Sequence, residues 1–290
     1  MYPEPQEFST LVKRLPIRKR AAMTIALGFN CPDGIVLCTD SLESDGYTKS
    51  AVNKIWAYET QGQWGIAVAS AGEADFCESF TDNLRELYAG EVFNKDKIML
   101  QLRTAINAAR TTYPDLDWAA LFALFGPQQQ DRRLLRLSIG SKHLAPVKRY
   151  EAVGIGSHLA KFFCSQMANL FMNVDEATEL GVFVIQRCIE HVDHCDGPIS
   201  VLTWKVGQSG WAPCHPDQVA DIQKKLGSKS QLRRNLYEFW LSLTPQLSRT
   251  TTQYKDEGRG GFVSFVREVA TKGFGKNPKR SVSRKLEPGQ

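Results

Sequence analysis

The chain has 290 residues, 42% hydrophobic and 23% charged, with a formal net charge of +5. That length can bury a full core in one large domain or two small ones. No apolar run reaches the roughly 18–20 residues that would span a bilayer, and no apolar segment follows the basic N-terminal residues as in a signal peptide, so the expectation is a cytoplasmic chain with no membrane partner. The positive charge sits at the ends. Residues 1–22 hold five basic groups against two acidic, and residues 271–290 hold six against one. Phe274 is the one aromatic residue among the tail's lysines, so no nucleic-acid partner is expected. Cys31, Cys38, Cys77, Cys164, Cys188, Cys195 and Cys214 form an odd set, most of them in apolar segments. They read as small buried hydrophobes in a reducing compartment.

Residues 1–22 show no sustained period and contain three prolines. They read as a propeptide, an extension, or a start codon placed too early, because Met23 directly precedes Thr24. From residue 24 the pattern sharpens. Ile25, Leu27 and Phe29 alternate with Ala26 and Gly28, which is the period of a strand. Cys31-Pro32-Asp33-Gly34 is a turn, with Pro32 presetting φ and Gly34 relieving the fourth position. Ile35 to Cys38 continue as a second strand that stops at Asp40, so the two runs predict a hairpin. Residues 51–56 predict a short strand with Lys54 inside it. A threonine hydroxyl needs a neighbouring base to act as nucleophile. If Thr24 were the first residue, its own α-amine could serve. A nearby ammonium such as Lys54 would lower that amine's affinity for a proton, and Asp40 would hold Lys54 charged. The same residues also fit a strand-ending acid and an ordinary surface lysine.

This stretch resembles the start of proteasome β subunits and of the related bacterial ATP-dependent threonine protease. Thr24, Leu27, Phe29, Gly34, Ile35, Val36, Leu37, Asp40 and Ser41 fall on the family pattern without a gap. Lys54 follows after a loop shortened by two residues. The resemblance implies a catalytic Thr24, exposed by removal of residues 1–23, with Asp40 and Lys54 as its partners. Met23 stands where self-processing members of that family usually have glycine.

Further on, residues 63–70 predict a strand, and Ala71-Gly72-Glu73-Ala74-Asp75 open a long helix. In the family, amides at this junction form the oxyanion hole, which the resemblance assigns here to Ala71 and Gly72. The aligned position is Ala71 rather than glycine, a liability if φ must be positive there. The same residues also suit a plain helix start, with Glu73 and Asp75 meeting the dipole. Residues 94–113 predict a second amphipathic helix. Strands follow at 118–125, 134–139 and 146–153, then helices at 157–171 and 174–191, then a strand at 199–206. The family's turn serine becomes Ile155, with Ser157 as a shifted substitute. Asp193 keeps a family acid, and Asp196 replaces a family serine. His191, His194 and Cys195, with Cys214 and His215, admit a weak zinc reading, but no CxxC or HExxH accompanies them, so neither metal nor cofactor is expected.

The order of elements predicts an α+β fold. The resemblance sharpens it to a four-layer αββα sandwich of the Ntn-hydrolase type over residues 24–206. A helical extension is expected at 207–272 (217–226, 231–243 and 260–271), then a basic disordered tail at 273–290. The implied activity is threonine-type hydrolysis of peptide or amide bonds in a homo-oligomer, with peptide or protein as substrate and an ATPase partner left open. Two other readings stand beside it: an inactive structural subunit of the same fold, and a small-molecule amidase.

Overall fold

A computed structural model describes residues 24–44, 49–60, 64–169 and 172–227. The chain divides into two compact units, Met1–Lys225 and Leu226–Gln290, and the elements below belong to the first apart from the last two residues of the final helix. The presumed extension at 1–23, the helices expected at 231–243 and 260–271, and the basic tail lie outside the described residues.

The hairpin forms as read. Strand β1 (Ile25–Cys31) turns through Pro32 and Asp33 into β2 (Gly34–Asp40), with Ala26 opposite Thr39 and Cys31 opposite Gly34. β2 is buried along its whole length, as its unbroken apolar run implies. The chain then makes a small separate ribbon, β3 (Leu42–Ser44) against β4 (Lys49–Ala51). β5 (Ile55–Thr60) and β6 (Trp64–Ala71) start a second sheet. Two helices follow, α1 (Ala74–Tyr88) and α2 (Lys95–Thr112), then β7 (Ala119–Phe125), β8 (Arg133–Leu137), β9 (Leu144–Pro146) and β10 (Tyr150–Gly154). Helices α3 (Ser157–Met167) and α4 (Val174–His191) precede β11 (Ile199–Lys205), the short β12 (Ala212–Pro213) and α5 (Pro216–Gly227). α4 begins with a reciprocal cap. The Asn173 side chain accepts from the Glu176 amide, and the Glu176 carboxylate accepts from the Asn173 amide.

The strands form two five-stranded antiparallel sheets, ordered β10-β1-β2-β11-β12 and β5-β6-β7-β8-β9. One core lies between α1, α2 and the second sheet, where Trp64, Phe76, Phe80, Tyr88, Trp118 and Phe122 pack. Phe80 and Trp118 rings lie 4.7 Å apart, close enough to add to the burial term. A second core between the sheets uses small side chains: Ala26, Ala67, Ala69, Ala71, Ala119 and Ala123 with Ile35, Leu37 and Leu121. α4 packs on β1, β2 and β11.

The four-layer αββα sandwich with extra C-terminal helices is corrected by this arrangement. The described residues form a mixed α+β fold of two five-stranded antiparallel sheets and five helices. The β3–β4 ribbon belongs to neither sheet. α5 packs on another helix, through Gln223 to Gln186 and Lys225 to Glu179 of α4. Periodicity reports what kind of element a segment forms and says nothing of the layer that element joins.

Seven cysteines all fall within the described part, and six are buried. Burial pushes the thiols of Cys31, Cys164, Cys188 and Cys195 up to about 12, and that of Cys38 well above the usual range. Cys214 is half-buried. Since the thiolate is the reactive form, the native protein at neutral pH should release about one equivalent of colour from Ellman's reagent, and all seven only after denaturation. Rapid release of several equivalents from the native chain would contradict this burial.

Candidate active site

The hairpin register places Thr24 beside Asp40. With Ala26 opposite Thr39, the residues just before β1 and at the end of β2 share one end of the sheet. The amide of Ile25 donates to Asp40 Oδ1 at 3.1 Å, and the Thr24 hydroxyl donates to the same oxygen at 2.5 Å.

Lys54 arrives by a route that strand pattern did not anticipate. The expected strand at 51–56 is split. Ala51 ends the ribbon, Val52 donates its amide to Ser41 O at 2.8 Å, and Lys54 precedes β5. Its carbonyl is held by the Ser70 amide of β6 at 3.1 Å. Lys54 Nζ donates to Thr24 Oγ1, to Asp40 Oδ1 at 3.1 Å, and to the carbonyl of Leu42. The three side chains are buried. Thr24 is 2%, Asp40 0% and Lys54 6% exposed. Charges that far from water are tolerated only when paired and hydrogen-bonded. Here the second carboxylate oxygen is also met, at 3.3 Å, by the amide of Asp196.

The backbone of Thr24 is clamped from the far side. The amide of Ile155 donates to the Thr24 carbonyl at 2.9 Å. Gly154, at φ 95°, allows that approach. A Cβ there would lie 2.1 Å from the Thr24 carbonyl oxygen and 2.9 Å from the Ala71 side chain. Gly154→Ala should therefore push Thr24 out of place. It should cost about 1–3 kcal/mol from the backbone conformation alone, read as a lower denaturation midpoint. An unchanged midpoint would show that the turn can adapt.

The same contact puts Ala71 beside Thr24. Positive φ, the liability attached to Ala71, falls on its neighbour instead. Gly72 has φ 145°, and among the described residues His194 is the one non-glycine with positive φ. The remaining expected residues are placed differently. Asp193 is exposed in the corner after α4, and Asp196 reaches the site through its main chain. The Asp196 carbonyl also accepts from the Leu42 amide at 3.0 Å. Ser157 is the first residue of α3, and no hydrogen bond joins its hydroxyl to Thr24, Asp40 or Lys54. Ile155 is 46% exposed. The Leu42 carbonyl, the amides of Ile25 and Asp196, and Gly154 as a spacer were not legible as site participants. Gly154 alone had a signal, as a glycine in a turn leading into a helix.

Cys195 is 3% exposed beside this group. Burial is the main cause of its raised thiol, with the Asp40 charge adding to it and Lys54 opposing. Among the described residues no group of three or more His, Cys, Asp or Glu is arranged to hold a metal ion, and no helix is long and apolar enough to cross a membrane. Chemically, the arrangement offers a hydroxyl oxygen that touches both an ammonium and a carboxylate.

No family model matches the sequence, and no curated protein matches it. Solved structures do. A Gly-1 mutant of Anbu from Hyphomicrobium sp. strain MC1 superposes with a TM-score of 0.61 at 13% identity, over 74% of this chain and 98% of that one. Anbu from Yersinia bercovieri, described as an ancestral beta-subunit, gives 0.60 at 13%, over 75% and 97%. The Anbu complex of Pseudomonas aeruginosa, solved as a helical assembly, gives 0.60 at 14%, over 74% and 96%. At such identities the likeness is one of fold. It agrees with the proteasome-like resemblance at that level.

Proposed function

We propose that this chain is a proteasome-like subunit that hydrolyses peptide or amide bonds with Thr24 as N-terminal nucleophile, once residues 1–23 are removed. The observation that carries the reading is the buried contact of the Thr24 hydroxyl with both Lys54 and Asp40.

In the trimmed chain the Thr24 nitrogen is a free amine. Such amines titrate near pH 8 in model peptides, and the Lys54 ammonium beside it favours the neutral, basic form. The hydroxyl oxygen attacks the substrate carbonyl while its proton passes to that amine. Negative charge develops on the carbonyl oxygen, and the backbone amides at Ala71 and Gly72 are the donors assigned to it. The amine returns the proton to the leaving nitrogen as the C–N bond breaks, leaving an ester on Thr24. Water activated by the same amine then hydrolyses the ester. Asp40 keeps Lys54 charged and oriented. Asp193, Ser157 and the Asp196 side chain enter this scheme through the resemblance alone.

Two forms of the protein test it: the full chain and one started at Met23. Intact mass shows which of them exposes Thr24, and a β-lactone or epoxyketone probe shows whether that threonine reacts. One probe per chain on Thr24 is the expected result. No label on a chain whose amine is proven free would sink the reading. That outcome would favour the second one, an assembly subunit without activity. The exposed Ile155, at the position where the resemblance expects a serine, is the observation on its side. A small-molecule amidase would label but ignore peptides. In all three readings the chain forms homo-oligomers, a reading supported by the helical assembly described for the Pseudomonas aeruginosa Anbu complex. Sedimentation of the purified protein should give a mass several times that of one chain, and a monomer at micromolar concentration would contradict this.

A further inference from the structure

A second buried cation lies outside the Thr24 group. Arg110, in the last turn of α2, is 4% exposed. A guanidinium carries five N–H donors in a fixed fork, and here the partners are main-chain carbonyls. Nη1 donates to Leu116 O at 2.6 Å, and Nη2 to Trp118 O at 2.5 Å and Ser138 O at 3.4 Å. Nε donates to Ser141 O at 3.3 Å. The group also lies 5.5 Å over the Trp118 ring, a cation–π contact in a site shielded from water. A buried charge is costly to retain merely to close a loop.

The segment that Arg110 grips has a second neighbour. Gly72 packs on it so closely that a Cβ there would lie 2.6 Å from Asp117 O and 3.0 Å from Trp118 Cα. Gly72 follows Ala71, and Ala71 meets Gly154 beside the Thr24 carbonyl. Ala71 also pairs with Ala119, one residue after Trp118. A continuous path of contacts therefore runs from the guanidinium through Leu116–Trp118 to the Gly72 turn.

We infer that Arg110 is a positioning residue for the candidate site, fixing the Leu116–Trp118 backbone as the platform on which the Gly72 turn takes its geometry. The inference rests on the reading of Gly72 as a donor to the reacting carbonyl, and it adds a residue far from Thr24 in sequence. Arg110→Lys is the telling change. Lysine keeps the charge but cannot bridge Leu116 O and Trp118 O with a planar fork.

The experiment has an arm that needs no activity. Amide hydrogen exchange of the full chain should show residues 70–76 exchanging at least about tenfold faster in Arg110→Lys, together with 113–118, while the β1–β2 hairpin is unchanged. In the wild type, 70–76 and 113–118 should open together as denaturant is raised, a measurement open even if the variant fails to fold. The second arm uses the β-lactone probe on the trimmed chain. Its inactivation rate constant should fall at least about fivefold in Arg110→Lys, with the binding constant within about twofold. Faster exchange at 113–118 with 70–76 unmoved would overturn the inference, as would separate opening of the two segments in the wild type. Absence of labelling in the wild type would instead overturn the threonine chemistry, so the two failures are told apart.

Discussion

A Thr24→Ala chain that begins at residue 24 is expected to lose peptide hydrolysis by roughly four orders of magnitude or more, the scale seen when a nucleophile is removed from a concerted group. The methyl group leaves nothing to attack a carbonyl. The surroundings should survive the change. Lys54 and Asp40 still pair at 3.1 Å, the Leu42 carbonyl still accepts from Nζ, and the Ile25 amide still reaches Asp40. The loss to stability should be that of the two hydrogen bonds the hydroxyl makes with charged partners, each about 1.5–3 kcal/mol. Thr24→Ser, which restores the oxygen, should recover both labelling and hydrolysis. The check is a panel of fluorogenic peptides with the covalent probe beside it. An alanine chain that hydrolyses peptides like the wild type would remove Thr24 from the chemistry.

The largest expected effect on stability comes from Lys54→Met. Asp40 is fully buried, and methionine would leave its carboxylate without a cation. Breaking a buried pair from one side costs about 3–5 kcal/mol, whereas replacing both partners with apolar groups is often nearly neutral. A typical domain has about 5–15 kcal/mol in total, so the single variant should unfold at much lower denaturant. Adding Asp40→Leu to it should recover much of the loss. Urea unfolding of the four chains in this cycle gives the coupling directly. A Lys54→Met chain as stable as the wild type would mean that the charge on Asp40 is met some other way.

Local chemistry carried the sequence reading well at some places and not at others. The β1–β2 hairpin was legible because alternation, Pro32 and Gly34 all pointed one way. The long helices ran close to their expected bounds for the same reason. Residues 51–56 were not legible. Val52 and Asn53 look like strand residues, but the backbone there serves to return Lys54 from the ribbon to β6. The layer arrangement failed more broadly, because α5 and the β3–β4 ribbon have the periodicity of ordinary elements and only tertiary contacts place them. Within the candidate site, the grouping of Thr24, Asp40 and Lys54 was legible in advance. Main-chain partners were not, since an amide of Asp196 or a carbonyl of Leu42 looks like every other peptide group. The Ala71 difficulty dissolved one residue along, at Gly72, where the backbone needs the glycine it has.

The bonds that hold residue 24 have a bearing on processing. Its carbonyl is gripped by Ile155, its hydroxyl by Asp40 and Lys54, and the next amide by Asp40 again. Each of these lies on Thr24 or downstream of it. Chain ends ordinarily fray unless tied down, but scission ahead of Thr24 would sever none of these ties. A terminus made there would be anchored from the moment it formed.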